Sequence, residues 1–152
     1  MAGKTDDFMS ARALPKVAEW RLSRHPLNVS RSRTLLQEQA YAWRVEDETV
    51  ELAVLLLSEL MTNAYRHARV SPGREIGLRC VLGDRGLRVE VSDASDELPR
   101  LRDAALDDES GRGLALVAAF ADAWGAFPRP CGIGKTVWFE LKVPGGDGCL
   151  PP

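Results

Sequence analysis

Two side-chain stripes share one stretch of the chain, and that sharing limits what the chain can fold into. From about Asp47 to Ala68, Leu52, Leu56, Leu60 and Ala64 recur every four residues, with Leu55 and Leu57 beside them. This spacing predicts a helix with a deep apolar face. On the same helix Glu59, Asn63 and His67 also recur every four residues, and Arg66 lies three beyond Asn63. A carboxylate, an amide, a guanidinium and an imidazole therefore line one side of a largely buried helix. Buried polar groups are costly unless partnered. Mg²⁺ carried on nucleotide phosphates would partner all four.

At 152 residues the chain is long enough for one domain with a real core. A net charge of −2 gives no bulk attraction to nucleic acid or to a membrane surface. The apolar run from Leu52 to Leu57 is too short to span a bilayer, and the N-terminus has no signal-peptide pattern. Cys80, Cys131 and Cys149 are widely spaced and form no CxxC pair. A reduced, cytoplasmic chain without a cysteine metal site is expected.

Residues 1–14 are polar and weakly patterned, and read as an N-terminal tail. Residues 15–144 read as the domain and 145–152 as a glycine-rich C-terminal tail. Lys16 to Leu22 alternates as a strand that Pro26 ends. Asn28 or Ser30 is expected to cap a helix from about Arg31 to Trp43. Asp47 caps the long helix. Ile76, Leu78, Cys80 and Leu82, then Leu87, Val89 and Val91, alternate on either side of Gly83-Asp84-Arg85-Gly86 and predict an antiparallel hairpin. Asp93 keeps the parity of the buried valines, so its carboxylate should point to the covered side. Residues 94–110 lack a period, are rich in Asp and Glu, and read as a flap or lid. Gly111-Arg112-Gly113-Leu114 opens a helix that Trp124-Gly125 ends, with a short strand to about Phe127. Val137, Phe139, Leu141 and Val143 alternate in a last strand. The element order predicts an α+β two-layer sandwich: a mixed, mostly antiparallel sheet with three helices on one face.

Three polar clusters ask for one explanation: the helix stripe, Asp93 at a strand end, and Gly-Arg-Gly at a helix start. Helix N-termini suit phosphates, and glycines let the backbone approach them. Asn63 can offer an oxygen to Mg²⁺, and Glu59 can act as a general base. An adenine amine is one donor that would satisfy Asp93. Each cluster also has a plainer reading: a solvated helix face, a strand-end turn residue, and a turn before a helix. Trp138 falls on the polar parity of its strand, which points to a protein interface.

Glu59-Leu60-x-x-Asn63-Ala64-x-x-His67-Ala68 resembles the asparagine box of the histidine-kinase-like ATPases, whose nucleotide-binding core is called the Bergerat fold. Val91-Ser92-Asp93 is similar to the start of that family's first glycine box, Gly111-Arg112-Gly113-Leu114 to its second, and Gly134-Lys135-Thr136-Val137-Trp138-Phe139 to its closing strand. The Ser-Glu-Leu-x-Thr-Asn-Ala wording is most similar to the small bacterial anti-sigma-factor serine/threonine kinases. The resemblance implies ATP and Mg²⁺ as cofactors. It implies Glu59 as general base, Asn63 on Mg²⁺, Arg66 on the phosphates, Asp93 on the adenine amine, Gly111, Arg112 and Gly113 on the phosphates, and Thr136 near the base. The implied partners are a sigma factor and a STAS-type antagonist phosphorylated on serine or threonine, with a homodimer as an allowed assembly.

One departure stands out. The family's first glycine box reads Asp-x-Gly-x-Gly, whereas here it is Asp93-Ala94-Ser95-Asp96-Glu97. Acidic residues in 94–110 would repel a triphosphate with no metal between them. A second function class therefore stands beside the kinase: a non-catalytic, partner-binding regulator with a degenerate nucleotide pocket.

Overall fold

The computed structural model of the protein describes residues 14–67, 75–94 and 109–144. The expected tails at 1–14 and 145–152 and the lid at 94–110 lie outside these residues, apart from Leu14, Ala94, Glu109 and Ser110. The elements run β1 (Lys16–Ser23), α1 (Leu27–Ala42), α2 (Asp47–His67), β2 (Glu75–Gly83), β3 (Gly86–Asp93), α3 (Glu109–Phe120), β4 (Ala123–Pro128) and β5 (Lys135–Leu141). The strands form one five-stranded sheet in the order β1-β2-β3-β5-β4. All four pairings are antiparallel, which is narrower than the mixed sheet expected.

Strand alternation decides which face is covered. Ile76, Leu78 and Cys80 of β2, Leu87, Val89 and Val91 of β3, and Val137, Phe139 and Leu141 of β5 are all buried. They share one core with Leu36 of α1, Leu56, Leu57, Leu60 and Met61 of α2, and Val117 of α3. The three helices thus cover one face, giving the two-layer α+β sandwich. α2 is the central helix, at about 31 Å for its length, and it packs on α1, α3, β3 and β5.

The other face carries charge and stays in contact with water. Glu19 of β1, Arg79 of β2, Glu90 and Arg88 of β3 and Glu140 of β5 form a chain of ion pairs across four strands, with contacts of 2.9, 3.5, 2.7 and 2.8 Å. Arg88 also lies over the Trp138 ring, 4.0 Å from its centroid. Partial burial works against the Arg88 charge, but its hydrogen bonds to Glu90 and Glu140 outweigh that and hold it more firmly protonated. Trp138, read from sequence as a partner-facing aromatic, is therefore covered from within the chain.

Two boundaries differ from expectation. α1 begins at Leu27, about four residues before the expected start, and its N-cap residue, Pro26, offers no side-chain cap. Pro26 already has helical dihedrals, and proline is well suited to a first turn because it has no N–H to leave unpaired. His25 Nδ1 accepts the Leu27 N–H at 3.1 Å, while Asn28 instead donates to the Ser23 carbonyl at 2.6 Å. α3 begins at Glu109, so Gly111, Arg112 and Gly113 lie within its early turns. It ends at Phe120, and Trp124-Gly125 belong to β4.

Cys80 is fully buried and Cys131 exposed. Burial, helped by the nearby Glu90 carboxylate, pushes the Cys80 thiol from 9.0 up to about 12. Only a thiolate attacks a disulfide reagent, so native labelling at pH 8 followed by peptide mapping should modify Cys131 and spare Cys80 until denaturant is added. The unfolded chain loses the Cys80 proton first, so stability should fall as pH rises between 9.0 and about 12. Cys80→Ala should remove that part of the pH dependence in denaturant titrations.

Candidate functional site

The direction of α2 decides which end of the sheet can carry a site. Val50, near its start, clusters with Ala40 and Val45 against Leu82 and Val143. These residues mark the end of the sheet where Leu82 pairs with Leu87 and Leu87 with Leu141. At the far end of α2, the Tyr65 carbonyl accepts Arg24 Nε at 3.1 Å, just beyond β1. A cation there also suits the negative end of the helix. Leu22 of β1 pairs with Ile76 of β2 at this end, beside which Ser92 pairs with Gly77 and Asp93 with Lys135. The second half of α2, with Glu59 and Asn63, therefore lies over the end of the sheet that holds Asp93.

α3 supplies the third part. Just past its C-terminus, the Asp122 N–H donates to the Glu140 carbonyl at 2.9 Å, and Asp122 Oδ2 accepts the Lys142 N–H at 2.6 Å. Those contacts tie the end of α3 to the Leu141 end of the sheet. Packed along α2, α3 brings its first turns, with Gly111, Arg112 and Gly113, towards the Asp93 end. Fold topology thus gathers the sequence-predicted clusters at one end of the domain.

Glu59 and Asn63 sit at the margin of the buried face of α2, each partly exposed, while Leu60 and Ala64 beside them are buried. One helical turn, about 6 Å of rise, separates the two. Arg66 is exposed on the last turn, and His67 is the last helical residue. Ser58 Oγ donates back to the Val54 carbonyl at 2.9 Å, so its hydroxyl is spent within the helix. Asp93 is 2% exposed, on the helix-covered face as its parity predicts.

The structure separates Thr136 from this group. Thr136 is buried, but it pairs with Ser92 in the β3–β5 ladder, and its hydroxyl lies 2.7 Å from Ser92 Oγ on the outer face. Strand alternation puts Asp93 on the opposite side. The residue brought to Asp93 is Lys135, its direct cross-strand partner. Lys135 Nζ stands 3.2 Å from Asp93 Oδ2, and the side chains are 6% and 3% exposed. The alternation of Val137, Phe139 and Leu141 reaches Lys135 when extended back one step, so its position is readable from the sequence. Its partner is readable only from the register.

Gly134 sets this contact. It has φ +84°, and a methyl on its Cα would overlap the Asp93 carbonyl oxygen. Glycine adopts that backbone without strain, and its lack of a side chain lets the start of β5 press so closely on the end of β3.

Donor chemistry tests which groups the site could hold. Among the described residues, no group of three or more His, Cys, Asp and Glu side chains could bind a metal by itself. Mg²⁺ commonly takes one or two protein oxygens and completes its shell with phosphates and water, and the Asn63 amide oxygen fits that pattern. A base amine at Asp93 meets a carboxylate already facing an ammonium.

Residues 22–139 match the family described as the histidine kinase-like ATPase domain, and the chain belongs to that family. Among solved structures, the chain is similar to the RsbU and RsbW domains of Rv1364c from Mycobacterium tuberculosis, with a TM-score of 0.66 and 17% sequence identity. The match covers 84% of this chain and 32% of that one, so this chain spans about a third of that protein's length. No curated protein matches the chain. Among the described residues, no helix is long and apolar enough to cross a membrane.

The buried pair makes a direct prediction. Lys135→Met leaves the Asp93 carboxylate buried beside an apolar chain and should cost about 3–5 kcal/mol. Changing both residues, as Asp93→Leu with Lys135→Met, should recover most of that loss. Urea denaturation of the two variants and the wild type checks both.

Proposed function

We propose that this domain is an anti-sigma-type regulator that binds Mg²⁺-ATP and phosphorylates a protein partner on serine or threonine. The observation that carries this reading is the convergence of Glu59 and Asn63 on α2, Asp93 on β3 and the first turns of α3 at one end of the sheet. The solved relative containing RsbU and RsbW domains supports the same class of regulator. In this reading the partners are a sigma factor, which the domain would sequester, and a STAS-type antagonist, which it would phosphorylate.

Each residue then has a separate task. Asn63 would hold Mg²⁺ by its amide oxygen, and the ion would supply charge neutralisation for phosphoryl transfer, a reaction that depends mainly on positioning and electrostatics. Arg66 and the first turns of α3, with Gly111, Arg112 and Gly113, face the phosphates. The α3 N–H groups, unpaired within the helix, favour anions there. Glu59 would take the proton of the partner's hydroxyl as that oxygen bonds to the terminal phosphorus and the bond to the bridging oxygen breaks, releasing ADP. Asp93 marks the base subsite. Thr136 stays on the outer side of the sheet in this scheme. Its hydroxyl can influence the base only through the strand it shares with Lys135.

A second reading is favoured by one specific observation, the Lys135–Asp93 pair, together with the absence of both glycines after Asp93. In it the domain binds its partner without catalysis and its nucleotide pocket is degenerate.

Calorimetric titration with Mg²⁺-ATP separates the two readings. The kinase reading expects binding that Asn63→Ala abolishes. It also expects Glu59→Gln to keep nucleotide binding while slowing transfer to an antagonist protein by at least ~10²-fold, the usual worth of a general base. Unchanged transfer would remove Glu59 from the mechanism. No binding by folded wild-type protein, alone or with a partner, would leave the non-catalytic regulator.

A further inference from the structure

The proposal concerns Lys135, and it rests on the reading that Asp93 marks the base subsite. We propose that Lys135 is a specificity-determining residue that fills this subsite from within: its ammonium occupies the face of the Asp93 carboxylate where an adenine amine would donate. The chain accordingly binds adenine nucleotides more weakly than it would without this ammonium.

Geometry comes first. Lys135 and Asp93 are cross-strand partners on the helix-covered face, with Nζ and Oδ2 3.2 Å apart. Both are almost fully buried, at 5% and 2% exposure, so the ammonium is a built part of the interior and not a surface lysine leaning inward. Thr136, the small hydroxyl residue next along the strand, faces the other way and bonds Ser92.

Chemistry comes next. A hydrogen bond between an ammonium and a carboxylate joins two charges and is roughly twice as strong as one between neutral groups. An adenine amine is neutral. Displacing the ammonium from Asp93 would exchange a contact between two charges for one from a neutral amine, at a position poor in water.

The backbone gives Lys135 little room to withdraw. β5 is hydrogen-bonded on both sides, with Lys135 facing Asp93 of β3 on one side and Pro128 of β4 on the other. Gly134, at φ +84°, packs directly on the Asp93 backbone. Arg129 and Gly134 close the preceding loop through a hydrogen bond of 3.0 Å from the Arg129 N–H. A nucleotide would have to turn the lysine side chain out against its own ion pair.

The test is titration of wild type, Lys135→Thr and Lys135→Gln with Mg²⁺-ATP by calorimetry, with thermal melts of each. The glutamine variant keeps a neutral donor beside Asp93, so the experiment can be read even where the threonine variant fails to fold. Affinity should rise about 10²-fold in the variants, as expected when breaking a buried ion pair no longer opposes binding. ATP should raise their melting temperature more than that of the wild type, because the nucleotide binds only the folded state. Adding Asn63→Ala to a variant should cancel the gain.

A wild type that binds ATP as tightly as both variants, or more tightly, overturns the role of Lys135 and leaves the nucleotide site standing. Absence of binding in all three, each melting cooperatively, overturns both the nucleotide site and the proposal. The wild type gives its own readout by NMR of lysine Nζ–H groups. The solvent-protected Lys135 signal should persist unshifted at micromolar ATP. A shifted but retained signal at micromolar ATP would make Lys135 a nucleotide ligand and end the proposal.

Discussion

Burial of one face of the sheet beneath α2 is the interaction on which the rest of the structure depends. Leu56, Leu57, Leu60 and Met61 meet Val89, Val91 and Phe139 with almost no exposed surface. Apolar burial of this kind is the main favourable contribution to a domain of this size. It also fixes orientation. One end of α2 is held by Val50 against Leu82 and Val143, and the other by Arg24 on the Tyr65 carbonyl. With the helix aligned along the sheet, Glu59 and Asn63 can only stand near the Asp93 end. The packing that stabilises the domain therefore also positions its candidate site.

Family membership and site chemistry separate at Asp93. Residues 22–139 place the chain among the histidine kinase-like ATPase domains. A shared fold does not fix a shared activity, which rests on individual side chains. Here the α2 positions hold residue types suited to Mg²⁺-phosphate chemistry, while the Asp93 end holds a buried ion pair. A buried pair contributes little net stability, because desolvation of two charges offsets their attraction. Its consequence is selective: whichever group next approaches Asp93 must contend with an ammonium.

The sheet's outer face follows a different rule. Among the described residues no helix covers it, and its polar residues pair with one another across β1, β2, β3 and β5. Exposed ion pairs are individually weak. Together they align neighbouring strands, and Arg88 packs over Trp138 on that face. Charged side chains on the edge strand β1, among them Lys16, Glu19 and Arg21, also discourage pairing with further strands.

The sequence by itself determined the layers and the stripes. Periods of four and of two, read from Leu52 to Ala64 and from Ile76 to Val91, are local properties that each element carries with it. They gave α2, the β2–β3 hairpin, the buried side of Asp93 and the place of Glu59 and Asn63 on one helix face. The start of α1 was misjudged because capping preference favoured Asn28 or Ser30, while Pro26 and His25 already supplied a first turn. The end of α3 was misjudged because Trp124-Gly125 punctuates a helix as readily as it fits a strand. Tertiary structure alone decided which residue meets Asp93. That depends on the register between β3 and β5, two strands separated in the chain by residues 94–108, a helix and another strand. A local period says which face a side chain takes but not which residue lies opposite. Thr136 and Lys135 are neighbours in sequence, and a difference of one residue sent them to opposite faces of the sheet.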